Sequence, residues 1–376
     1  MEVRVNRIEF IKKLKIVEKA IFENKIKPII SCALIETGEE DNRLKFYGTN
    51  LEITIITHME CQVKSHGKIV FQPQIVEEYL KELSDETVLL KVEDFTLYIE
   101  GADSVSEFSL MDAEEFPINY LHVEAKEESL GFDTNSSALV NCFEKTKFAA
   151  SQSSDDMRIN CIRMVSDGKS LKFVATDNFR MIYLEEEIKT DLDFKISIPL
   201  NTVDAGIKLF KTLAEETVHV SIGTKNVKFK VGDTLVISRI IDLPFPDYEG
   251  TLKNLKYSNK LFISGQDFLA MLKRVIIFVR NNQESKFGAI FTLSHNKIAI
   301  EGINDFAKIN EELTLNYDGE PIKISLNTKF LIDFIQNLNI EKELLIESTT
   351  SSGAVKITQN NCPNYLYIVM PLTFRG

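Results

Sequence analysis

One domain-sized pattern occurs three times along this chain. The segments Leu44–Asn50, Leu171–Asp177 and Ile298–Asn304 are similar in sequence and begin 127 residues apart. A second trio, each opening with Lys-Ile, begins at positions 68, 195 and 323. This period is far longer than the roughly 20 to 50 residues of solenoid repeats. The pattern therefore predicts one domain used three times, a symmetry that favours surrounding something over forming a single catalytic cleft.

The length of 376 residues suits three domains of about 125 residues each. We place them at 1–124, 125–255 and 256–376, with linkers at 111–128 and 243–259. Within each repeat, apolar residues recur first at helical and then at alternating spacing, which predicts an α+β domain with two amphipathic helices backed by antiparallel sheet. The six predicted helices span residues 7–24, 72–83, 134–150, 200–213, 264–280 and 326–338.

The five cysteines are scattered and never spaced Cys-x-x-Cys. This spacing argues against a disulfide framework or a zinc site and favours a reducing cytoplasm. No apolar run approaches the roughly 20 residues that a membrane helix needs. The first residues, Met1–Asn6, are polar and alternating, unlike a signal peptide.

The net charge of −12 argues at first against a nucleic-acid partner. The charge is unevenly distributed, however, because the six predicted helices together carry +4 and the rest of the chain −16. In the first helix, Lys12, Lys15 and Lys19 fall opposite the apolar stripe that includes Phe10 and Leu14. A lysine in that position usually just faces water. Three repeats with basic residues on corresponding helices favour an anionic partner.

Motifs for catalysis are missing from the sequence. It contains no phosphate-binding Gly-rich loop, no His-Glu-x-x-His and no Gly-x-Ser-x-Gly. The five histidines are far apart, and the neighbouring Asp155 and Asp156 are most simply a solvated acidic turn. We therefore predict a protein that is not an enzyme, with no catalytic residue, metal or cofactor.

Three further segments carry a family resemblance. They are Val174–Met181, which reads Val-Ala-Thr-Asp-Asn-Phe-Arg-Met, Phe245–Tyr248, which reads Phe-Pro-Asp-Tyr, and Tyr367–Leu372, which reads Tyr-Ile-Val-Met-Pro-Leu. Together, and in this order, they resemble the beta subunit of bacterial DNA polymerase III, the sliding clamp, over the whole chain. The resemblance implies a DNA clamp fold in which two chains join head to tail into a ring of six domains.

The resemblance also implies the partners. Such a homodimer encircles double-stranded DNA without reading its sequence, and tethers the polymerase catalytic subunit, the clamp loader and repair proteins for processive synthesis. These proteins dock through short linear motifs in an apolar pocket between the second and third domains; no membrane is involved. By resemblance, the pocket residues are Cys161, Thr176, Asn178, Phe179, Arg180, Met181, Pro246, Ile368, Val369, Met370, Pro371 and Leu372.

Two other sets of residues follow from the resemblance. Basic side chains expected to face DNA are Lys12, Lys15, Lys19, Lys25, Lys145, Lys147, Lys208, Lys211, Lys273 and Arg274. At the dimer interface, Phe108 of one chain is expected to face Phe278 and Val279 of the other.

The chain departs from the family pattern at several positions. Asn24 and Gln74 stand where the family has DNA-contacting arginines, although Lys25 lies nearby. Phe179 changes one wall of the expected pocket, and Cys161 replaces a usual leucine. These departures keep a second hypothesis open: a divergent clamp paralogue that acts as a protein-binding scaffold with weak or no encirclement of DNA.

Overall fold

The computed structural model describes residues 1–38, 42–118, 130–213, 216–282, 285–317 and 319–373. All six predicted helices are present, and most are shorter than predicted. The predicted boundary at 124/125, most of the linker 111–128 and the last three residues lie outside the described ranges. The helices are α1 (Arg7–Glu18), α2 (Pro73–Glu82), α3 (Ser136–Lys147), α4 (Leu200–Phe210), α5 (Tyr248–Asn254), α6 (Gly265–Val279) and α7 (Thr328–Ile335).

Helix α1 begins where the Asn6 side chain accepts a hydrogen bond from the Glu9 amide, a common helix start. It ends at Glu18 rather than at the predicted Asn24. Beyond the helix, the hydroxyl of Ser31 accepts from the Asn24 amide at 2.8 Å and donates to the Phe22 carbonyl at 3.2 Å. These loop bonds satisfy backbone groups that a longer helix would have paired along its own axis.

Helix α5 was not predicted, because two prolines made this stretch read as a linker. Asp247 caps it, accepting from the Gly250 amide at 2.8 Å. The helix places Tyr248 in a buried position. None of the helices in the described ranges combines the length and the apolar composition of a membrane span.

The chain divides into two compact units, the first formed by Met1–Asn141 with Asn201–Ile241 and the second by Cys142–Leu200 with Asp242–Gly376. The first unit contains two antiparallel sheets. The smaller sheet has the order β5 (Gln62–Ser65), β1 (Glu2–Asn6), β7 (Thr87–Glu93), β8 (Thr96–Glu100) and β9 (Val105–Ser109). The larger has the order β10 (Leu130–Asn135), β15 (Thr217–Ile222), β16 (Asn226–Val231), β17 (Thr234–Arg239), β4 (Ile53–Glu60), β3 (Arg43–Thr49), β2 (Ala33–Thr37) and β6 (Lys68–Phe71).

The second unit also contains two antiparallel sheets. One has the order β14 (Asp193–Pro199), β11 (Cys161–Asp167), β12 (Leu171–Thr176), β13 (Arg180–Glu186), β25 (Cys362–Val369), β24 (Val355–Gln359), β23 (Glu343–Ser348) and β18 (Asn259–Ser264). The other has the order β21 (Lys308–Thr314), β20 (Lys297–Ile303), β19 (Gly288–Ser294) and β22 (Ile322–Asn327). Each eight-stranded sheet thus takes four strands from one repeat and four from the next.

The threefold repeat extends to the hydrogen bonds of one turn. The repeated segments end in Asn50, Asp177 and Asn304, and each of these side chains closes a tight turn by accepting from the amides two and three residues ahead. The bonds run to Asn50 from Glu52 and Ile53 (3.0 and 2.8 Å), to Asp177 from Phe179 and Arg180 (3.0 and 2.9 Å), and to Asn304 from Phe306 and Ala307 (both 2.9 Å). Only a short polar side chain can mimic a backbone acceptor here, which explains why Asn or Asp occupies this position in all three repeats.

Candidate functional site

The C-terminal tail reaches the Asp177 turn by strand pairing. Strand β25 runs antiparallel to β13 with Ile368 opposite Met181, and the Met370 amide donates to the Phe179 carbonyl at 2.8 Å. The structure therefore brings two of the three family segments side by side within the second unit.

The third segment completes an apolar floor beneath them. Val174, Met181, Tyr248 and Ile368 form one buried cluster. Partly buried apolar side chains pack around it, namely Tyr183, Phe245, Leu252, Leu255, Ala354 and Leu366. Helix α5, absent from the sequence prediction, supplies Tyr248 and Leu252, so sequence reasoning missed part of this floor.

Above the floor, two large apolar side chains are open to solvent. Phe179 is 63% exposed and Met370 is 43% exposed. Between Asp177 and Phe179, Asn178 is exposed and has a φ of 72°, a left-handed conformation that Asn tolerates better than most residues. Since neighbouring exposed apolar groups over a buried floor often mark an interaction site, this surface can accept an apolar side chain from a partner.

Several predicted pocket residues are too deeply buried to line that surface. Cys161 and Val369 are both 0% exposed. The Cys161 thiol lies 3.3 Å from the Arg158 carbonyl, to which it donates, and burial raises its pKa to about 11. Neither side chain reaches solvent, which corrects their predicted lining role. Thr176 is also buried, and its hydroxyl donates to the Arg180 carbonyl at 2.7 Å.

Arg180 holds the turn in place. Its guanidinium is 2.9 Å from Asp177 and 2.9 Å from Asp333 on α7, and it stacks over the Phe330 ring at 4.1 Å. The side chain is only 10% exposed. With both carboxylates engaged, Arg180 is a structural tie between the turn and α7 rather than an open donor for a ligand.

The tail continues past the apolar floor to a second groove. The Leu372 amide donates to the Ser325 carbonyl on β22 at 2.8 Å. Pro371 and Leu372 border a cleft of about 470 Å³, whose other lining residues are Lys323, Ser325, Ser351, Ser352 and Thr373. Half-buried Pro246 lies on the α5 side of the floor, next to Tyr248.

The predicted DNA-facing lysines of α1 differ in exposure. Lys12 and Lys15 are exposed, whereas Lys19 is half-buried and burial lowers its pKa. Lys15 lies 3.4 Å from Glu77 on α2, which also pairs with Lys81. Beside this group, burial and the neighbouring Glu77 raise the pKa of Glu18 to about 7. Acidic groups thus offset part of the positive charge at this end of α1.

The remaining predicted basic residues vary in the same way. Lys208, Lys211 and Lys273 are exposed, and Lys25 is highly exposed with Glu23 at 4.0 Å. Lys145 and Lys147 are half-buried, and the Lys145 ammonium lies 5.5 Å from the centre of the Tyr365 ring. Arg274 is held by both oxygens of Glu311 at 2.7 and 2.6 Å, which neutralises its charge locally.

The positions where the family has arginines serve other purposes here. The Asn24 side chain accepts from the amides of Ile26 and Lys27 at 3.0 and 2.8 Å, and so shapes the loop that carries Lys25. Gln74 borders a cleft of about 630 Å³ next to α1. Neither side chain brings positive charge.

The predicted dimer contacts need one correction. Phe108 is half-buried and packs against Tyr79, with ring centres 5.7 Å apart, and Phe278 is half-buried. Val279, in contrast, is 0% exposed and belongs to the core of its own unit. Ile277, two residues earlier on α6, is 57% exposed and is the apolar side chain available at that helix end. Helical geometry explains the difference, because positions 275 and 279 point to the same buried face.

Within the described ranges, no group of three or more His, Cys, Asp or Glu side chains is placed to hold a metal ion. Three repeated α+β domains joined through shared antiparallel sheets define the clamp fold. Known proteins identify the family. Three profiles match, those of the N-terminal domain of the DNA polymerase III beta subunit at residues 1–121, its central domain at 133–247 and its C-terminal domain at 255–373.

Individual relatives agree at low identity. The beta sliding clamp of Buchnera aphidicola subsp. Rhopalosiphum padi is 26% identical, over 96% of this chain and 97% of its own length. The structure of the DNA polymerase III beta subunit of Thermotoga maritima superposes with a TM-score of 0.89 at 24% identity, covering 99% of both chains. That of the Pseudomonas aeruginosa sliding clamp bound to griselimycin has a TM-score of 0.87 at 22% identity, covering both chains fully. The chain belongs to the DNA polymerase III beta subunit family, as a divergent member.

Proposed function

We propose that this protein is a DNA sliding clamp, a homodimeric ring that encircles duplex DNA and tethers the replicative polymerase for processive synthesis. The observation that carries the proposal is the match of all three family domains, in order, to a chain with the clamp fold. Its role is non-catalytic, and it acts where bacterial DNA is copied, in the cytoplasm. Nucleotide transfer belongs to the polymerase that it holds.

The surface formed by Phe179, Met370 and the apolar floor is the proposed docking site for partners. Short segments carrying a Leu or Phe, from the polymerase, the clamp loader or repair proteins, would bury that side chain against Met181 and Ile368. Aromatic anchors in such pockets often dominate binding energy. The flexible thioether of Met370 can adapt to partners of different sequence.

The α1 lysines are proposed to face the DNA backbone. Contacts with phosphates position a protein without reading bases, so a ring held by such contacts can move along the duplex. Retention then depends on topology: a closed ring stays on circular DNA and slides off a linear end.

The test is retention on DNA after loading onto a nicked circle. We expect the protein to co-elute with circular DNA and to be lost when the circle is cut at one site. Changing Lys12, Lys15 and Lys19 together to Glu should reduce retention strongly while circular dichroism stays unchanged. A control with Lys225, Lys230 and Lys253 changed to Glu has the same net charge and should be retained normally.

A second candidate function is a protein-binding scaffold that does not encircle DNA. It is favoured by Asn24 and Gln74, and by the pairing of Lys15 with Glu77 and of Arg274 with Glu311. Peptide binding at the Phe179 surface, without retention on circular DNA, would establish the scaffold and reject the clamp.

A further inference from the structure

Arg163 lies at the border of the apolar floor. It is on β11, where it faces Val174 of the floor on one side and Ser197 of β14 on the other. Residues directly opposite one another on antiparallel strands share a face of the sheet, so the Arg163 and Val174 side chains lie on the same face. Tyr248, also part of the floor, is close enough to interact electrostatically with the guanidinium. Arg163 therefore places a positive charge beside the proposed docking site.

This positive charge has no acidic partner among the described residues. The guanidinium donates a hydrogen bond to the Ser197 hydroxyl at 3.2 Å, and no carboxylate of the described ranges pairs with it. A guanidinium has five N–H donors, and the Ser197 bond uses only one of them. Arg180 and Arg158 differ in this respect, because carboxylates hold both of them. Arg163 can thus donate to an acceptor that comes from outside the described chain.

The surroundings of Arg163 make such an acceptor favourable. Arg163 is half-buried, and burial lowers its pKa. Its electrostatic neighbours are the Tyr248 hydroxyl and the Cys161 thiol, whose pKa values burial raises to about 12 and about 11, so both are neutral near pH 7. Burial disfavours a charge unless an opposite charge compensates it. A carboxylate from a partner would supply that compensation and form charge-assisted hydrogen bonds, which are shorter and stronger than neutral ones.

The sheet geometry sets where that carboxylate must lie. One strand, β12, separates β11 from β13, which carries Met181. Neighbouring strands lie about 4.8 Å apart, so Arg163 is on a strand about 10 Å from the one that would contact an apolar anchor. An extended segment advances about 3.3 Å per residue, so an acidic residue within about three positions of the anchor can reach the guanidinium.

We propose that Arg163 selects partner segments that carry an Asp or Glu within about three residues of the apolar anchor, by binding its carboxylate. This inference rests on the proposed docking function and adds the chemical class of segment that docks. Arg163 acts as a specificity-determining residue, because the anchor is common to all segments whereas the carboxylate distinguishes one from another. The planar fork of the guanidinium can hold both carboxylate oxygens at once, which an amide of the same shape cannot reproduce.

The same face of the sheet offers a matched control in Lys195. It lies on β14, two residues from Ser197 and opposite Val165 of β11. Its side chain is exposed and its ammonium lies 3.6 Å from Glu249, so this cation already has a carboxylate partner. Removing its charge changes the net charge as much as removing that of Arg163, without touching the proposed contact.

Matched pairs of labelled synthetic peptides test the proposal. Each peptide carries a Leu-Phe anchor, and the two members of a pair differ only in Asp or Asn at one position flanking the anchor. For at least one position, fluorescence anisotropy should show the Asp peptide binding about tenfold more tightly, as expected for hydrogen bonds to a charged group. The preference should shrink as NaCl is added, because salt screens partly exposed charges. This comparison uses the unaltered protein, so it does not depend on the folding of a variant.

Variants then assign the preference to Arg163. Arg163→Gln should weaken binding of the Asp peptide about tenfold and leave that of the Asn peptide within about twofold. Arg163→Lys keeps the charge without the planar fork and should retain part of the preference. Lys195→Gln should leave the preference intact. Circular dichroism during thermal unfolding checks that each variant is folded.

The outcomes separate this inference from the docking function beneath it. Equal binding of both members of every pair would overturn the role of Arg163 and leave the docking site standing. An equal loss of preference in Lys195→Gln would also overturn it, since general charge would then be responsible. Arg163-dependent binding of a single-stranded oligonucleotide, with no preference between peptides, would assign the guanidinium to phosphate instead. Failure of all peptides to bind, Asp and Asn alike, would overturn the docking function and this inference with it.

Discussion

The Met370 amide donates to the Phe179 carbonyl at 2.8 Å, so that the end of the last described strand and the Asp177 turn lie together at the proposed docking surface. Both side chains project into solvent from this shared backbone contact. The shape of the candidate pocket thus depends on the chain terminus remaining paired with β13.

Removing residues 370–376 should abolish binding of a clamp-binding peptide. The truncation deletes the Met370 bond and its thioether, and opens the floor at Ile368 to water. Fluorescence anisotropy with a labelled peptide carrying a Leu or Phe anchor measures the loss. Ending the chain after Leu372 keeps the bond and should preserve binding. Unchanged affinity in the shorter protein would contradict the pocket assignment.

Phe179→Ala should weaken binding of the same peptide by about 1–2 kcal/mol, as expected when an aromatic contact of a small interface is removed. Because Phe179 is mostly exposed in the free protein, its loss should leave thermal stability nearly unchanged. Phe95→Ala removes an equally exposed phenylalanine, 65% accessible, from a different turn. Equal effects of the two variants on peptide affinity would assign the Phe179 effect to something other than direct contact.

Arg180→Ala should lower the free energy of unfolding by about 2–4 kcal/mol, because it leaves the carboxylates of Asp177 and Asp333 without their shared cation in a mostly buried site. Guanidinium chloride titration followed by circular dichroism measures the change. Arg158→Ala breaks a similar two-bond pair with Asp156, but on the surface, and should cost little. If Arg180→Ala left the free energy of unfolding unchanged, Lys329, which also contacts Asp333, would be enough to compensate the charge of that carboxylate.

Glu18→Gln should stabilise the protein at pH 8. Burial and Glu77 raise the folded-state pKa of Glu18 to about 7, so its contribution to stability is present below the unfolded value near 4.5 and is lost as pH rises through about 7. Burial alone would raise the pKa of Glu77, but its hydrogen bond with Lys81 and the other nearby groups outweigh burial, and the net pKa is lowered from 4.5. The stability that ionised Glu77 contributes is therefore present above the unfolded value and is lost as the pH falls through the lowered folded-state pKa.

The difference in the free energy of unfolding between wild type and Glu18→Gln isolates the effect of Glu18 ionisation. Glutamine mimics the protonated carboxyl, and the gain at pH 8 should be about 1–2 kcal/mol once solvent screening of this half-buried pair is allowed for. At pH 5 the two proteins should unfold at nearly the same denaturant concentration. Glu9→Gln, on the exposed side of α1, serves as the control. A gain that is equal at both pH values would exclude the ionisation of Glu18 as its cause.

The repeat made much of the fold predictable. Segments in equal register, such as those ending in Asn50, Asp177 and Asn304, indicated corresponding strands, and the predicted α+β fold of three clamp domains is confirmed. Apolar periodicity located every long helix but misjudged the end of α1, since hydrogen bonds through Ser31 and Asn24 decide it. A pattern along one segment contains no information on such distant partners.

The sequence predicted which segments form the candidate site, but it did not predict which of their side chains are buried. Matching motifs identified Phe179 and Met370, yet the same matching assigned surface roles to Cys161 and Val279, which lie in the core. The exposure of a side chain depends on which face of its strand or helix packs against the rest of the unit. Matching a short sequence motif does not reveal which face that is. Prolines at 244 and 246 concealed α5, whose Asp247 cap was the signal that could have revealed it. The DNA-facing set, the domain boundaries and the homodimer stay predictions.

The sharing of each eight-stranded sheet by two repeats determines how this protein can be divided into fragments. The unit of sequence duplication is about 125 residues, but the compact units join one whole repeat to half of another. The second repeat, excised alone, would expose unpaired edge strands at β13 and β17, because each of its two sheets would lose four strands from a neighbouring repeat. Such exposed edges would make the fragment prone to aggregate. Limited proteolysis should therefore yield fragments that remain associated after cleavage, and domain-by-domain expression is a poor route to soluble pieces of this molecule.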